Sequence, residues 1–224
     1  ANIALSERIS ANPGRFYSSG QQTLKDVTCL IADIYAGKHP AFARETNVDV
    51  FAYSIGAFLA QILFMLNPQG LMSNSKLFMF CGGSIFNRMY GTSRSIMDKY
   101  AFEKLYNYYS SDFYITNNNI VQSDTQLKAF KAMINTNNYA TERSGFFQSI
   151  RNRFSCVALK QDVVIPYEGI VDAVGVNNKN NIDLLDFNYP YNHENPFPIF
   201  NNNLKNEVDI AFNTVFSRAA AFLA

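Results

Sequence analysis

Residues 48–66, which have the sequence VDVFAYSIGAFLAQILFML, decide the fold. The first part, 48–53, is a short apolar run of β-branched and aromatic residues, which is typical of a strand buried on both faces of a parallel sheet. A turn follows at 54–56, and 57–66 is almost wholly apolar over the length of a buried helix. The stretch therefore predicts a strand, a sharp turn and a buried helix in succession.

The same pattern continues towards the carboxyl end of the chain. Apolar runs at 76–81, 154–159 and 182–187 predict three further strands, the first of them ended by a Gly-Gly pair. A strand, a helix and a second strand in immediate succession form a βαβ unit, whose crossover is right-handed. We therefore expect an α/β fold with a mostly parallel sheet and flanking helices. Apolar periodicity places those helices at 18–37, 168–176 and 204–223.

Residues 86–153 differ in character from the rest of the chain. Amphipathic patterns predict helices at 95–109, 124–135 and 141–153, and only 113–115 resembles a strand, weakly. A helical stretch inside an α/β pattern is typical of an insertion. We therefore predict a core made of 1–85 and 154–224, with 86–153 as a helical lid or cap.

The turn after the first strand fits the nucleophile-elbow pattern G-x-S-x-G, with Ala52 at the first small position and Gly56 at the second. Small residues are expected because the turn is so tight that larger side chains would collide with the neighbouring backbone. Such a turn exposes the Oγ of Ser54 above the carboxyl end of the strand. The N–H of Ile55, at the N-terminus of the helix, can then donate to an oxyanion. The alternative is an ordinary turn in which Ser54 caps the helix.

A nucleophilic serine needs a base, and the chain has two histidines. His39 precedes the first strand, so we expect it at the opposite end of the sheet from Ser54. His193 follows the last predicted strand, so it leaves the sheet at the same edge as Ser54. His193 is therefore the predicted base, and His39 is predicted to be a surface loop residue.

A third group must orient the imidazole ring. Asp162 follows the strand at 154–159, again at a carboxyl end, and is the predicted acid. Glu168 and Asp172 are alternatives that we expect on the following helix, and Glu194 is an alternative beside the histidine. The order along the chain is then Ser54, Asp162, His193.

With this order, the sequence resembles the α/β-hydrolase superfamily, and most closely an uncharacterised bacterial branch of it. The similar stretches are 51–61 (FAYSIGAFLAQ), 77–83 (LFMFCGG), 162–169 and 189–198 (YPYNHENPFP). The resemblance implies a fold of that superfamily. It also implies Ser54 as nucleophile, Asp162 as acid, His193 as base and 86–153 as the lid, and it implies no particular substrate.

One departure from the superfamily lies before Ser54, where other members have several more strands and a loop that supplies the second oxyanion donor. We expect that the natural protein extends upstream of residue 1. The strand at 48–53 is then expected to pair with that upstream segment or with another chain, because a bare apolar sheet edge is a liability.

Composition narrows the function classes. The chain has 224 residues, of which 48% are hydrophobic and 17% charged, and this composition indicates a globular protein and excludes collagen-like and wholly disordered classes. A net charge of +1 gives no electrostatic basis for binding nucleic acid, and no apolar run is long enough to span a membrane.

Cys29, Cys81 and Cys156 are expected to be reduced and buried. No leader segment is recognisable, which favours the cytoplasm.

The predicted function is hydrolysis of an ester or related acyl compound by a serine enzyme. Neither a metal nor a cofactor is predicted, because two distant histidines and scattered thiols form no ligand cluster. Aromatic residues in the predicted lid favour an apolar or aromatic substrate. The alternatives are a binding module on the same scaffold that has lost catalysis, and an acyltransferase or peptidase with the same triad.

Overall fold

The chain forms an α/β structure around a parallel sheet of four strands. The computed structural model describes residues 2–113, 124–199 and 202–224. The strands are adjacent in chain order and all parallel. Their bounds are Val50–Tyr53 (β1), Leu77–Phe80 (β2), Phe154–Leu159 (β3) and Ile182–Leu185 (β4). The predicted α/β class, the parallel sheet and the flanking helices are confirmed.

Helices cover both faces of the sheet and form a separate layer above it. The helix that begins the chain was not predicted, whereas the others lie within a few residues of the expected positions. Their bounds are Ile3–Ala11 (α1), Arg15–Tyr35 (α2), Ile55–Leu66 (α3), Lys99–Asn107 (α4), Thr125–Ile134 (α5), Ala140–Ser149 (α6), Tyr167–Val174 (α7) and Lys205–Leu223 (α8).

The alternation of side chains along the central strands divides the core into two parts. Leu77 and Met79 of β2 face the larger part, together with α2, α3 and α5. Phe78 and Phe80 point to the opposite face, where they are covered by α8. Because both faces of β2 and β3 are covered, these strands consist of almost continuous apolar residues.

Strand β1 is less buried than its sequence predicts. Of its four residues only Ala52 is buried, while Phe51 and Tyr53 are 39% and 40% exposed. Within the described residues β1 pairs with β2 and has no neighbour on its other side. Burial of β1 on both faces was therefore a wrong prediction, and pairing of its outer edge with a further segment stays a prediction.

The segment 86–153 is attached to the core through a buried arginine. Arg143 on α6 is 3% exposed, and its guanidinium group donates five hydrogen bonds to backbone carbonyls. Three of these carbonyls belong to α5 or the loop after it, and two belong to α7. A single side chain thus joins two helices of the segment to a helix of the core. Of the weak strand predicted at 113–115, Phe113 is helical and the other two residues lie outside the described residues.

The three cysteines are free, but they differ in burial. Cys81 and Cys156 are buried as expected, whereas Cys29 is exposed on α2. The prediction of three buried thiols is wrong for Cys29, because the helix turns this position away from the apolar face.

Candidate active site

Ser54 occupies a strained turn between β1 and α3. Its backbone has φ 53° and ψ −126°, a conformation that residues other than glycine rarely adopt. Such strain persists only where the surrounding structure holds it, and it is common at functional sites. The turn presents the Ser54 side chain beyond the carboxyl end of β1, as the elbow pattern predicts.

The steric constraint on this turn comes from a residue that the motif does not contain. A Cβ added to Gly82, which follows β2, would lie 2.6 Å from the Cβ of Ala57 and 2.8 Å from the carbonyl oxygen of Ser54. A Cβ added to Gly56 would meet nothing within 4 Å. The expected collision at Gly56 is therefore not seen for a methyl group, and for larger side chains it stays a prediction. The close approach is between the loop after β2 and the backbone of Ser54.

His193 lies within hydrogen-bonding distance of Ser54. The loop after β4 places the Nε2 atom of His193 2.6 Å from the Oγ of Ser54, and the histidine is 3% exposed. The ring stacks on Tyr53 at 5.7 Å between centroids and 12° between planes. The Tyr53 hydroxyl also donates to the backbone carbonyl of His193. Tyr53, the residue before Ser54, thus holds the loop that carries His193 in position.

Tyr53 remains a hydrogen-bond donor at neutral and moderately alkaline pH. Burial, followed by the electrostatic influence of Cys81, Asp162 and Glu194, raises its pKa to about 12. A protonated phenol donates to the carbonyl of His193, whereas a phenolate could not.

Asp162 completes a chain of hydrogen bonds. Its Oδ2 atom lies 2.8 Å from Nδ1 of His193, and the carboxyl group is fully buried. Its Oδ1 atom accepts hydrogen bonds from the N–H groups of Val164 and Ile165, each at 2.9 Å. Because a carboxylate only accepts, Nδ1 carries the proton and Nε2 is free to accept from the serine hydroxyl. The arrangement can therefore take a proton from Ser54 and stabilise the imidazolium that results.

The thiol of Cys81 lies close to this carboxylate, and its surroundings favour the protonated form. Burial raises the pKa of Cys81, and the charge of Asp162 raises it further. A thiol that stays protonated is unreactive.

The alternative candidates lie elsewhere or have other partners. His39 follows α2, where its ring packs on Phe42 and its Nδ1 atom accepts from the N–H of Ala41. Glu168 and Asp172 are on α7, and Asp172 forms an ion pair with Arg88 at 2.8 Å. None of the three is hydrogen-bonded to Ser54 or His193 in the described contacts.

Glu194 supports the loop that holds the histidine. Burial opposes ionisation of Glu194. Hydrogen bonds from Ser93 and from backbone N–H groups, with the charge of His193, nevertheless hold its pKa below the ordinary value. The carboxylate therefore connects the histidine loop to the segment around Ser93 and is not a partner of the imidazole.

An apolar cavity opens beside Ser54. Its volume is about 530 Å³, within the range of small-molecule sites. Its walls come from α1, α2, α3, the described residues of 86–105 and of α5, and the loop after Asp162. None of the described residues that line it is Asp, Glu, Lys, Arg or His. Examples of lining residues from each part are Ile9, Phe16, Ile62, Met97, Phe130 and Val164.

The comparisons with known proteins give a family and no function. A family model described as a family of unknown function, DUF6051, matches residues 1–224. The chain belongs to this family. Neither a curated protein nor a solved structure matches the chain.

Sequence reasoning missed Tyr53, Gly82 and the cavity. Tyr53 was passed over because the elbow pattern allows any residue before the serine. Gly82 was recognised only as the end of a strand, although a Gly-Gly pair there could have indicated a close approach of backbone. The cavity is lined by residues from many separate segments, and no local pattern in the sequence reveals it.

Two further observations on the described part of the chain concern metal ligands and membrane-spanning helices. It contains no cluster of three His, Cys, Asp or Glu side chains placed to bind a metal. In the same residues, no helix combines the length and apolar character needed to cross a membrane.

Proposed function

We propose that this protein is a serine hydrolase that cleaves an ester or related acyl compound. The single observation that supports it is the hydrogen-bonded chain from Ser54 to His193 to Asp162, with distances of 2.6 and 2.8 Å. Structural serines that cap helices do not need a buried histidine and a buried carboxylate in line behind them. The strained backbone of Ser54 is a second, independent reason to assign a function to this turn.

In the proposed mechanism the Oγ of Ser54 attacks the substrate carbonyl while Nε2 of His193 accepts its proton. Asp162 holds the imidazole in the correct tautomer and stabilises its charged form. The N–H of Ile55 is the first of α3 and is not used within the helix, so it donates to the oxyanion. His193 then protonates the leaving group, and water hydrolyses the acyl-enzyme with the same histidine as base.

An α/β-hydrolase fold is part of this proposal. Three properties support it: a parallel sheet, a strained serine after one strand, and the acid and base after the last two strands in the order Ser, Asp, His. We also propose that 86–153 acts as the lid, since residues from this segment, such as Met97 and Phe130, form the cavity wall that faces α2 and α3.

A fluorophosphonate probe tests the proposal directly, because only an activated serine reacts with it rapidly. We expect labelling of the wild-type protein, no labelling of Ser54→Ala, and strongly reduced labelling of His193→Ala. Ester turnover in Ser54→Ala should fall by roughly 10⁴ to 10⁶ in kcat. His39→Ala is the matched control and should label as the wild type does.

Absence of labelling in a folded wild-type protein would favour the binding-module alternative. Equal loss of labelling in His39→Ala and His193→Ala would contradict the assignment of the base.

A further inference from the structure

We propose that the cavity beside Ser54 binds the hydrocarbon chain of a fatty acyl group of roughly 10 to 16 carbons. This inference rests on the proposed function for the reaction at Ser54, and it adds the class of acyl group that is cleaved.

The chemistry of the walls favours a hydrocarbon. The described lining residues are aliphatic and aromatic, with a few uncharged polar side chains. One of these, Gln21, already donates to the hydroxyl of Tyr17 at 3.0 Å. A charged acyl group would lose its hydration here without gaining a partner of opposite charge, and a peptide would leave its backbone groups unpaired. A hydrocarbon chain loses no hydrogen bonds on entering.

Two helices line the cavity over about three turns or less. On α3 the lining residues recur from Ile55 to Ile62, which is one face over two turns and about 10 Å of helix. On α2 they run from Phe16 to Leu24, which is about 12 Å. Ser54 is also a lining residue, so a chain attached to the reacting carbonyl can occupy this space.

The volume sets the length of the chain. If a methylene group fills the ~30 Å³ that a water molecule occupies in the liquid, then 530 Å³ has room for about 18 such groups, and a chain of roughly 10 to 16 carbons would fill more than half of it. An acetyl or butyryl group would leave most of this space without contact, whereas a long chain would fill it. Protein interiors rarely contain dry voids of this size, so the cavity is not a packing defect.

The first test is a chain-length series of p-nitrophenyl esters, from acetate to palmitate, at concentrations below micelle formation. Each buried methylene group should raise kcat/KM by up to about fourfold. We expect kcat/KM to rise at least about 100-fold from butyrate to dodecanoate before it levels off. A flat series, or one that falls beyond butyrate, would overturn the proposal.

The second test adds a side chain at a lining position where its Cβ would have no close neighbour. Gly20 lies on α2 and lines the cavity, and a Cβ added there meets nothing within 4 Å. Gly145 on α6 is also helical and equally open, and it does not line the cavity. Gly20→Phe should lower the ratio of kcat/KM for dodecanoate to that for butyrate at least about 10-fold. Gly145→Phe should leave this ratio unchanged.

The third test measures binding without catalysis. Ser54→Ala is titrated with dodecanoate and with butyrate by calorimetry, alone and combined with Gly20→Phe. We expect dodecanoate to bind, butyrate to bind far more weakly, and Gly20→Phe to weaken the binding of dodecanoate.

The outcomes separate the two proposals. Hydrolysis of short esters without chain-length preference and without dodecanoate binding would refute the cavity proposal and leave the serine hydrolase standing. Binding of dodecanoate that Gly20→Phe weakens, without ester hydrolysis or probe labelling, would refute the hydrolase and leave a fatty-acyl binding site.

Discussion

Gly82→Ala should destabilise the protein and displace Ser54. The added methyl group would lie 2.6 Å from the Cβ of Ala57 and 2.8 and 3.0 Å from the carbonyl oxygen and nitrogen of Ser54. These three atoms cannot rotate away, since two belong to the backbone and the third is fixed to it. Overpacking of this kind costs about 1 to 3 kcal/mol. Each kcal/mol lowers the Tm of a chain of this size by about 2 to 4 °C, so we expect a fall of about 2 to 12 °C.

The expected effect on activity follows from the same contacts. A displacement of the Ser54 backbone moves Oγ relative to Nε2 of His193, which are 2.6 Å apart. Misplacement of reacting groups by about 1 Å can cost on the order of 100-fold in rate. Labelling by the fluorophosphonate probe should therefore slow by roughly 10- to 100-fold in Gly82→Ala.

Two glycines provide controls for the thermal measurement. Gly56→Ala and Gly145→Ala add the same methyl group where nothing lies within 4 Å, and both positions are helical. Alanine is favoured over glycine in a helix, so the Tm of both variants should be unchanged or higher. Calorimetry measures the Tm of all three variants and of the wild type. A Tm of Gly82→Ala equal to the wild type, or an equal fall in Gly56→Ala, would refute the reasoning.

Three further substitutions test the strain, the histidine loop and the buried arginine. Ser54→Gly should melt at a higher temperature than Ser54→Ala, because relief of about 1 to 3 kcal/mol of backbone strain outweighs the entropy cost of glycine. A lower Tm for Ser54→Gly than for Ser54→Ala in calorimetry would contradict this prediction. The folded-state pKa of Glu194 lies below its ordinary value of 4.5. The ionised carboxylate therefore stabilises the folded state above pH 4.5, and this stabilisation is lost as the pH falls through the folded-state pKa. The urea midpoint of the wild type should therefore exceed that of Glu194→Gln near neutral pH, and the difference should shrink on acidification; a difference that does not depend on pH would refute this. Arg143→Met removes the donors for five carbonyls and should lower the free energy of unfolding by about 3 to 5 kcal/mol in urea denaturation; a loss below about 1 kcal/mol would show that water replaces the guanidinium.

The strands and the proposed triad were predictable because their evidence is local. Each strand is a short apolar run that ends in a turn, and all parallel strands end at the same edge of the sheet. Ser54, Asp162 and His193 each follow such a run, so their convergence followed from topology alone. The predicted bounds of the strand at 154–159 match those of β3 because both faces of β3 are covered, so the apolar run coincides with the strand.

The remaining features depend on contacts between distant segments. Helix α1 was missed because only Ser6 and Ile9 of its nine residues are buried, which is too few to produce a periodic pattern. The burial of β1 was overestimated because the run at 48–53 does not show how many neighbours the strand has. The constraint at Gly82 was missed because it arises between two loops that lie side by side only after the sheet has formed.

The proposed reaction and the proposed acyl preference are encoded in different stretches of the chain. The hydrogen-bonded atoms follow β1, β3 and β4, while α1 and α2, two helices that precede the sheet, supply a large part of the cavity wall. Substitutions at lining positions such as Ile9 or Leu24 change the shape of the cavity without touching any atom of the triad. The proposed acyl preference of this chain can therefore be altered by substitutions in the first two helices that leave the proposed chemistry unchanged.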